Sequence, residues 1–457
     1  MKIVIYDLPF YKIRDADGLS AFILLEEQKE QGEDNLIMAS HSQEIYTGIE
    51  IGTATIKVAI CSVAADYSVK LLGWGEAPSI KVIKGEVKDR DFVCQQLTRA
   101  VKQAEAEAQI PIAETFVTLS VGGRFVSLVR TEGTVSFETG NMQITEEHII
   151  AADRQAVFVP KDDSQIVDGQ YTRYYRLDKD EILLAPPVGS YSTYVQVQNE
   201  SIVFQRRYLE AYASIAADVI EGPPNAVAYT PLALAFAAFQ RKSGGTPSEG
   251  FLLIDIGAGV TSYVLYTGRD FFTMGQITVG CDHAANDLSV AFCLPINSTR
   301  KILRDFENLQ CSVMPEADNR RRYIAAEMEI NGSMQNIPAA RVEQIVQLRF
   351  QELFNIINKK IKDEDAWQWA TGGVMICGGG ARIPKIQELA STVFNRPVAI
   401  AHTANAKGRA DIVDSPVALV PLGLARFGKQ SYDIENQNHP HDTAGRLRNF
   451  IKTMLNW

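Results

Sequence analysis

Three short stretches combine acids and glycines in an order that suits a nucleoside polyphosphate. In YTGIEIGTATIKVAI, Tyr46 to Ile60, Glu50 stands just ahead of Gly52, Thr53 and Ala54. In FLLIDIGAGVTSYVLY, Phe251 to Tyr266, Asp255 precedes Gly257, Ala258 and Gly259. A third stretch, VMICGGGARIPKI at Val374 to Ile386, carries Gly378, Gly379 and Gly380. Phosphate oxygens need several convergent backbone N–H groups with no Cβ in the way, and Mg2+ needs a carboxylate; an acid followed by a glycine turn supplies both. Because Mg2+ gives up water reluctantly, Asp255 would hold it through water, with Glu50 in the equivalent place of the first stretch. Taken singly, any of these is also an ordinary β-turn. Their order, each on a strand-like run, points to nucleotide binding.

The elements that must carry these turns follow from hydrophobic periodicity. Each of the first two stretches reads as a β-hairpin, and they lie about two hundred residues apart, an internal repeat. The third follows a buried-strand pattern and leads into a helix-like stretch. Helical periodicity at Asp91 to Ala108, Gln205 to Ile220 and Ala340 to Ile361 interleaves with strands, so the class is α/β. NAVAYTPLALAF from Asn225 and SPVALVPLGLARF from Ser415 read as helices whose small residues allow a close crossing. The 457 residues, 46% hydrophobic and 22% charged, are enough for a sizeable core. A net charge of −10 without a basic stripe argues against nucleic acid as a partner. Cys61, Cys94, Cys281, Cys293, Cys311 and Cys377 stand apart, which suggests neither zinc nor a disulfide framework and fits a reducing cytoplasm. No apolar run is long enough to span a bilayer, and the N-terminus lacks a signal-peptide pattern, so membrane contact would be peripheral.

Residues 429 to 444, KQSYDIENQNHPHDTA, read as a flexible linker, and GRLRNFIKTMLNW follows as a separate amphipathic unit. Leu447, Phe450, Ile451, Met454 and Leu455 form one apolar helical face, with Arg446, Arg448 and Lys452 outside it and Trp457 last. Such a helix can lie on an anionic membrane surface; the alternative is docking on the protein's own core.

In their order, the glycine turns resemble the phosphate-1, phosphate-2 and adenosine motifs of the actin, sugar-kinase and heat-shock chaperone superfamily. The resemblance implies ATP as the ligand and an actin-like two-lobed ATPase fold of two RNase H-like domains. It also implies adenine against Gly378, Gly379 and Gly380, with Arg382 a candidate for stacking, and connecting helices in the stretches from Asn225 and Ser415. Within the superfamily, roughly residues 46 to 457 resemble the bacterial cell-division family FtsA. GIEIGTATIKVAI has that family's Glu at position 50; FVTLSVGGRFVSLVRTEGTV and APPVGSYSTYVQVQNES resemble the two ends of its inserted domain; NDLSVAFCLP and LRFQELFNIINKKI match further segments. The implied layout is subdomain 1A over 46–120 and 199–250, an SHS2-type domain 1C over 121–198 with the helix TEEHIIAADRQAVF, subdomain 2A over 251–290 and 366–428, and 2B over 291–365. A linker over 429–444 and a membrane-targeting helix over 445–457 complete it.

The sequence departs from that family at the second turn, where Ala258 replaces a glycine and Ser262 or Tyr263 stands near the usual Asp. After CLPINST, Lys301 or Arg304 would have to serve where relatives carry a Glu and a Lys. ATP binding is therefore better supported than hydrolysis, which would be slow at most, and no catalytic residue is assigned. The resemblance further implies a polymer on the inner face of the cytoplasmic membrane at the division site. There it would tether FtsZ filaments, gain avidity from many weak anchors, and meet other divisome proteins through 1C. In QLRFQELF, Arg349 and Glu352 share a helical face and would receive the FtsZ C-terminal peptide; an ordinary Arg–Glu pair is the competing reading. Rivals are a PilM-like pilus-assembly protein, whose family lacks the terminal helix, and a kinase, for which no sugar-binding signature is found. Residues 1 to 45 read either as a small accessory element or as the product of a start placed upstream of Met38.

Overall fold

The computed structural model describes residues 45–138, 140–178, 181–238, 249–267, 271–314, 322–328 and 333–438. The first acid-plus-glycine stretch is a hairpin of β1 (Ile45–Ile51) and β2 (Thr55–Val63), and β2 pairs on with β3 (Val69–Pro78), all antiparallel. Helix α1 (Arg90–Ala108) starts where the Asp89 carboxylate accepts from the Phe92 N–H. It lays Val93, Leu97, Ala100 and Ala104 against β2 and β3. The next strand, β4 (Phe116–Val121), joins β1 in parallel.

Here the chain leaves to build a separate sheet. Its centre is β7 (Tyr194–Gln205), paired antiparallel with β5 (Val126–Ser136) and β6 (Gln165–Arg176), and α2 (Glu146–Gln155) packs on β5 and β7. Ile149, Ala152, Tyr175, Val195 and Val197 belong to a small core of its own. Helix α3 (Arg206–Ile220) returns to β8 (Ala226–Tyr229), parallel to β4, and α4 (Thr230–Ala238) follows.

The second half repeats the plan. Strands β9 (Phe251–Ile256), β10 (Thr261–Tyr266) and β11 (Phe271–Ile277) are antiparallel. Helices α5 (Cys281–Phe292) and α6 (Ile296–Arg304), the hairpin β12 (Tyr323–Glu327) and β13 (Met334–Pro338), and α7 (Ala339–Asp363) come next. Then β14 (Val374–Cys377) joins β9 in parallel, and after α8 (Ile386–Phe394) β15 (Val398–Ile400) joins β14. Both sheets therefore share the order third, second, first, fourth, fifth strand, and in the first the short strand Ala406–Lys407 adds in parallel outside β3. Leu252, Leu253 and Ile254 are fully buried, as expected of a strand covered on both faces.

Helix α9 (Leu419–Asn438) packs back on β1, β4 and α4. Gly423 sets that crossing, since a Cβ there would lie 1.8 Å from Ala233 O. Fully buried Arg426 donates to Phe236 O and Ala237 O, each at 2.9 Å, and so caps the end of α4.

Three expectations are corrected. NAVAYTPLALAF is not one helix: Ala226–Tyr229 is strand and the helix begins at Thr230. Four apolar residues suit either period, and parallel pairing with Thr118 to Val121 decides for strand. The helix expected from Ser415 begins at Leu419, after a turn in which the Ala418 N–H donates to Ser415 O. Residues 429–438, expected as linker, continue α9. Lys429 pairs with Asp433 at 2.6 Å, Ser431 is buried, and the Tyr432 ring stands edge-on to Tyr46 and Phe116. One packed face outweighs the polar composition. Residues 439–444 of that linker, the amphipathic unit of 445–457 and residues 1–44 lie outside the described residues.

Candidate functional site

The turns of the two hairpins meet between the halves. Each closes with the same bond, Gly52 N–H to Thr55 O at 3.0 Å and Gly257 N–H to Val260 O at 3.1 Å. A Cβ on Gly259 would lie 2.7 Å from Thr53 Oγ1, so only glycine lets the turns touch here. The second turn is also held from behind, because the N–H groups of Cys281 and Asp282 at the start of α5 donate to Gly257 O and Ala258 O at 3.0 and 2.8 Å.

One pocket draws on both turns, with Glu50, Gly52 and Thr53 from the first half and Asp255, Gly257, Ser262 and Gln276 from the second. Ala54, Ala258 and Gly259 shape the turns without lining it; Ala54 is exposed and its carbonyl accepts from the Ser79 N–H at 2.9 Å. Glu50 sits opposite Lys57 in the hairpin register, and Lys57 Nζ lies 2.9 Å from Glu50 Oε2. Burial opposes the charge on Lys57, but the Glu50 carboxylate, with Asp255 and Glu76 behind it, holds the ammonium above its usual range. Burial first, and the Glu50 charge second, push Asp255 up to about 7, with Lys57 pulling the other way. Two carboxylates thus share one ammonium and leave the pocket short of positive charge. Such hard oxygen donors suit Mg2+. Among the described residues no group of three or more His, Cys, Asp or Glu gathers as for a metal, so an ion held here would keep most of its water.

The third turn presses on the same acid. Gly378 follows β14 with φ +80°, and a Cβ there would lie 2.1 Å from Asp255 Oδ1; one on Gly380 would lie 2.4 Å from the Ile256 side chain. Gly379 differs: a Cβ there meets nothing within 4 Å, so this residue faces open space. Arg382 is exposed and its Nη2 donates to Ser415 Oγ at 2.9 Å.

Sequence reasoning passed over Gln276, which lines the pocket from the second half, and the loop Gly122–Gly123, which closes it from the first. A polar residue inside the apolar run FFTMGQI was the available signal. Away from the pocket, Arg349 and Glu352 do meet on α7, Nη1 to Oε2 at 2.5 Å, but Arg349 also grips Asp287 of α5 through two bonds of 2.6 and 3.0 Å. A groove beside them is lined by Leu348, Gln351, Glu352, Asn355, Ile356 and Lys359. Arg446, Arg448, Lys452 and the apolar residues between Leu447 and Trp457 lie outside the described residues.

The family model described as cell division protein FtsA matches residues 252–423. Cell division protein FtsA of Buchnera aphidicola subsp. Schizaphis graminum is 22% identical over 436 residues, covering 92% of this chain and 99% of that protein. The protein of the same name from Escherichia coli K12 is 22% identical over 427 residues, covering 91% of this chain and 97% of its own. Among solved structures, a chain of the PilM-PilN type IV pilus biogenesis complex superposes with a TM-score of 0.57 at 16% identity, over 84% of this chain and 98% of that one. Similarity that runs along nearly the whole chain, on a doubled sheet of this topology, identifies the protein as a relative of the FtsA family with an actin-like fold.

Proposed function

We propose that this protein binds ATP with Mg2+ between its halves and serves bacterial cell division as a peripheral membrane tether for FtsZ filaments. The observation that carries the nucleotide reading is the meeting of two acid-bearing glycine turns in one pocket, with a third glycine turn against Asp255. In this reading the N–H groups of the turns at Gly52 to Ala54 and Gly257 to Gly259 receive phosphate oxygens, and Glu50 and Asp255 orient the water around Mg2+. Bound Mg2+ would offset phosphate charge. Open space at Gly379 leaves room for the base, with Arg382 at its edge. Ser262, which with Tyr263 stands near the usual acid of the resembled family, accepts from Gln276, which supports slow hydrolysis at most.

The division role rests on the FtsA relatives. It comprises self-association into a filament, divisome contacts through the inserted sheet read as an SHS2-type 1C domain, FtsZ peptide docking at α7, and anchoring by the helix of 445–457. Among the described residues no helix is long and apolar enough to cross a membrane, so attachment falls to that basic amphipathic segment. A PilM-like role shares the fold but leaves that segment without a task. Titration with a fluorescent ATP analogue and Mg2+ tests the site: Gly379→Trp and Asp255→Ala should each weaken binding at least tenfold. Gly379 is the sharper probe, because a Cβ there meets no protein atom within 4 Å. Wild-type affinity in both variants sinks the assignment.

A further inference from the structure

We infer that Gln276 is a positioning residue that latches the glycine loop of the first half over the pocket, so that the halves stay closed on what they bind. Its side chain uses both ends of the amide. Oε1 accepts from the Gly123 N–H at 2.5 Å, in the loop after β4, and Nε2 donates to Ser262 Oγ at 2.9 Å, on the strand leaving the second turn. One residue therefore ties the first half to the second at the wall of the pocket that holds Glu50 and Asp255.

The loop is shaped for this contact. A Cβ on Gly122 would lie 2.7 Å from both Gln276 Nε2 and Thr230 Oγ1, and Gly123 has φ +94° with Lys84 O 2.5 Å from a Cβ position. Gly122 has no space for a side chain while the amide is in place, and Gly123 has none against the Lys84 backbone. Separating the halves strips a partner from the Gly123 N–H and from Oε1 until water replaces it, which resists opening.

The far end of the same strand is also held. Arg173 of the inserted sheet is 3% exposed, its Nε donates to Phe272 O at 2.8 Å, and its guanidinium lies 5.0 Å from the Phe272 ring centre. It also pairs with Glu364 just beyond α7. Strand β11 is thus gripped near one end by the loop that leads into the insertion and near the other by the insertion itself. The latch depends on this geometry alone; the nucleotide as its occupant rests on the function proposed above.

The test uses the full chain with two variants. Gln276→Leu keeps the volume and removes both bonds; Ser262→Ala leaves the Gly123 bond but frees the amide. In ligand-free protein, amide exchange of the segment containing Gly123 should quicken at least tenfold in Gln276→Leu and at least threefold in Ser262→Ala. Release of a fluorescent ATP analogue with Mg2+ should accelerate in the same order. Should Gln276→Leu not fold, Ser262→Ala decides by the same two readouts. Wild-type exchange and release in the folded variants would overturn the latch. If the wild type takes up no analogue, the nucleotide reading fails, and exchange at Gly123 decides the latch by itself.

Discussion

A carboxylate raised to about 7 is half neutral in most assay buffers, so Asp255 should hold a metal poorly below pH 7 and better above it. The same shift bears on folding. A carboxyl whose pKa is higher folded than unfolded binds its proton more tightly in the native state, so ligand-free stability falls as pH rises from about 4 to about 7 and stays lower above. Asp255→Asn should therefore raise ligand-free stability at pH 8 by about 1 kcal/mol or more in urea unfolding, and should weaken Mg-nucleotide binding at least tenfold. A destabilised variant would mean that the charge is well paired instead. Glu50 and Asp255 were legible because an acid ahead of a glycine turn is a local pattern. Lys57 became a partner only once the turn length placed it opposite Glu50. Gln276 was hidden, since its partners lie 153 and 14 residues away.

At the scale of elements, the crossing of α4 and α9 leaves no room for a methyl group. Gly423→Ala should cost about 2 kcal/mol or more in chemical denaturation, because its Cβ would press on backbone and not on a movable side chain. An unchanged midpoint would show that the two helices can separate freely. Helix α7 calls for a different kind of test. Charge reversal at Arg349 would set a new acid against Asp287, so Arg349→Glu should lower the melting temperature and confound any peptide measurement. Leu348, 56% exposed beside the groove, avoids this. Leu348→Ala should cut affinity for an FtsZ C-terminal peptide at least fivefold by fluorescence anisotropy, with melting unchanged; full affinity would move the docking site elsewhere. The helix α7 was evident from its periodicity, whereas the fork to α5 was not, because nothing local marks which acid a neighbouring helix will present.

For the whole molecule, the tail is separable from the pocket in the proposed function. Deleting residues 445–457 should release the protein from anionic vesicles in co-sedimentation while leaving ATP-analogue affinity within twofold, and adding salt should weaken the intact protein's attachment. Retained sedimentation by the shortened chain would refute the anchor. The sequence by itself determined the α/β class, the doubled hairpin, the long helices and the three glycine turns. Each hairpin, helix and turn among these is local, written in hydrophobic period and turn chemistry. Only the tertiary structure decided that Gly259 meets Thr53, that Arg173 of the insertion grips Phe272 and Glu364, and that the segment after Lys429 stays helical. Those outcomes depend on which atoms two packed sheets bring face to face, and a buried polar group takes its partner from whatever arrives there. The polar run after Lys429 shows the physical reason most plainly: its own composition favours water, and the rings of Tyr46 and Phe116, hundreds of residues earlier, offer Tyr432 a better surface.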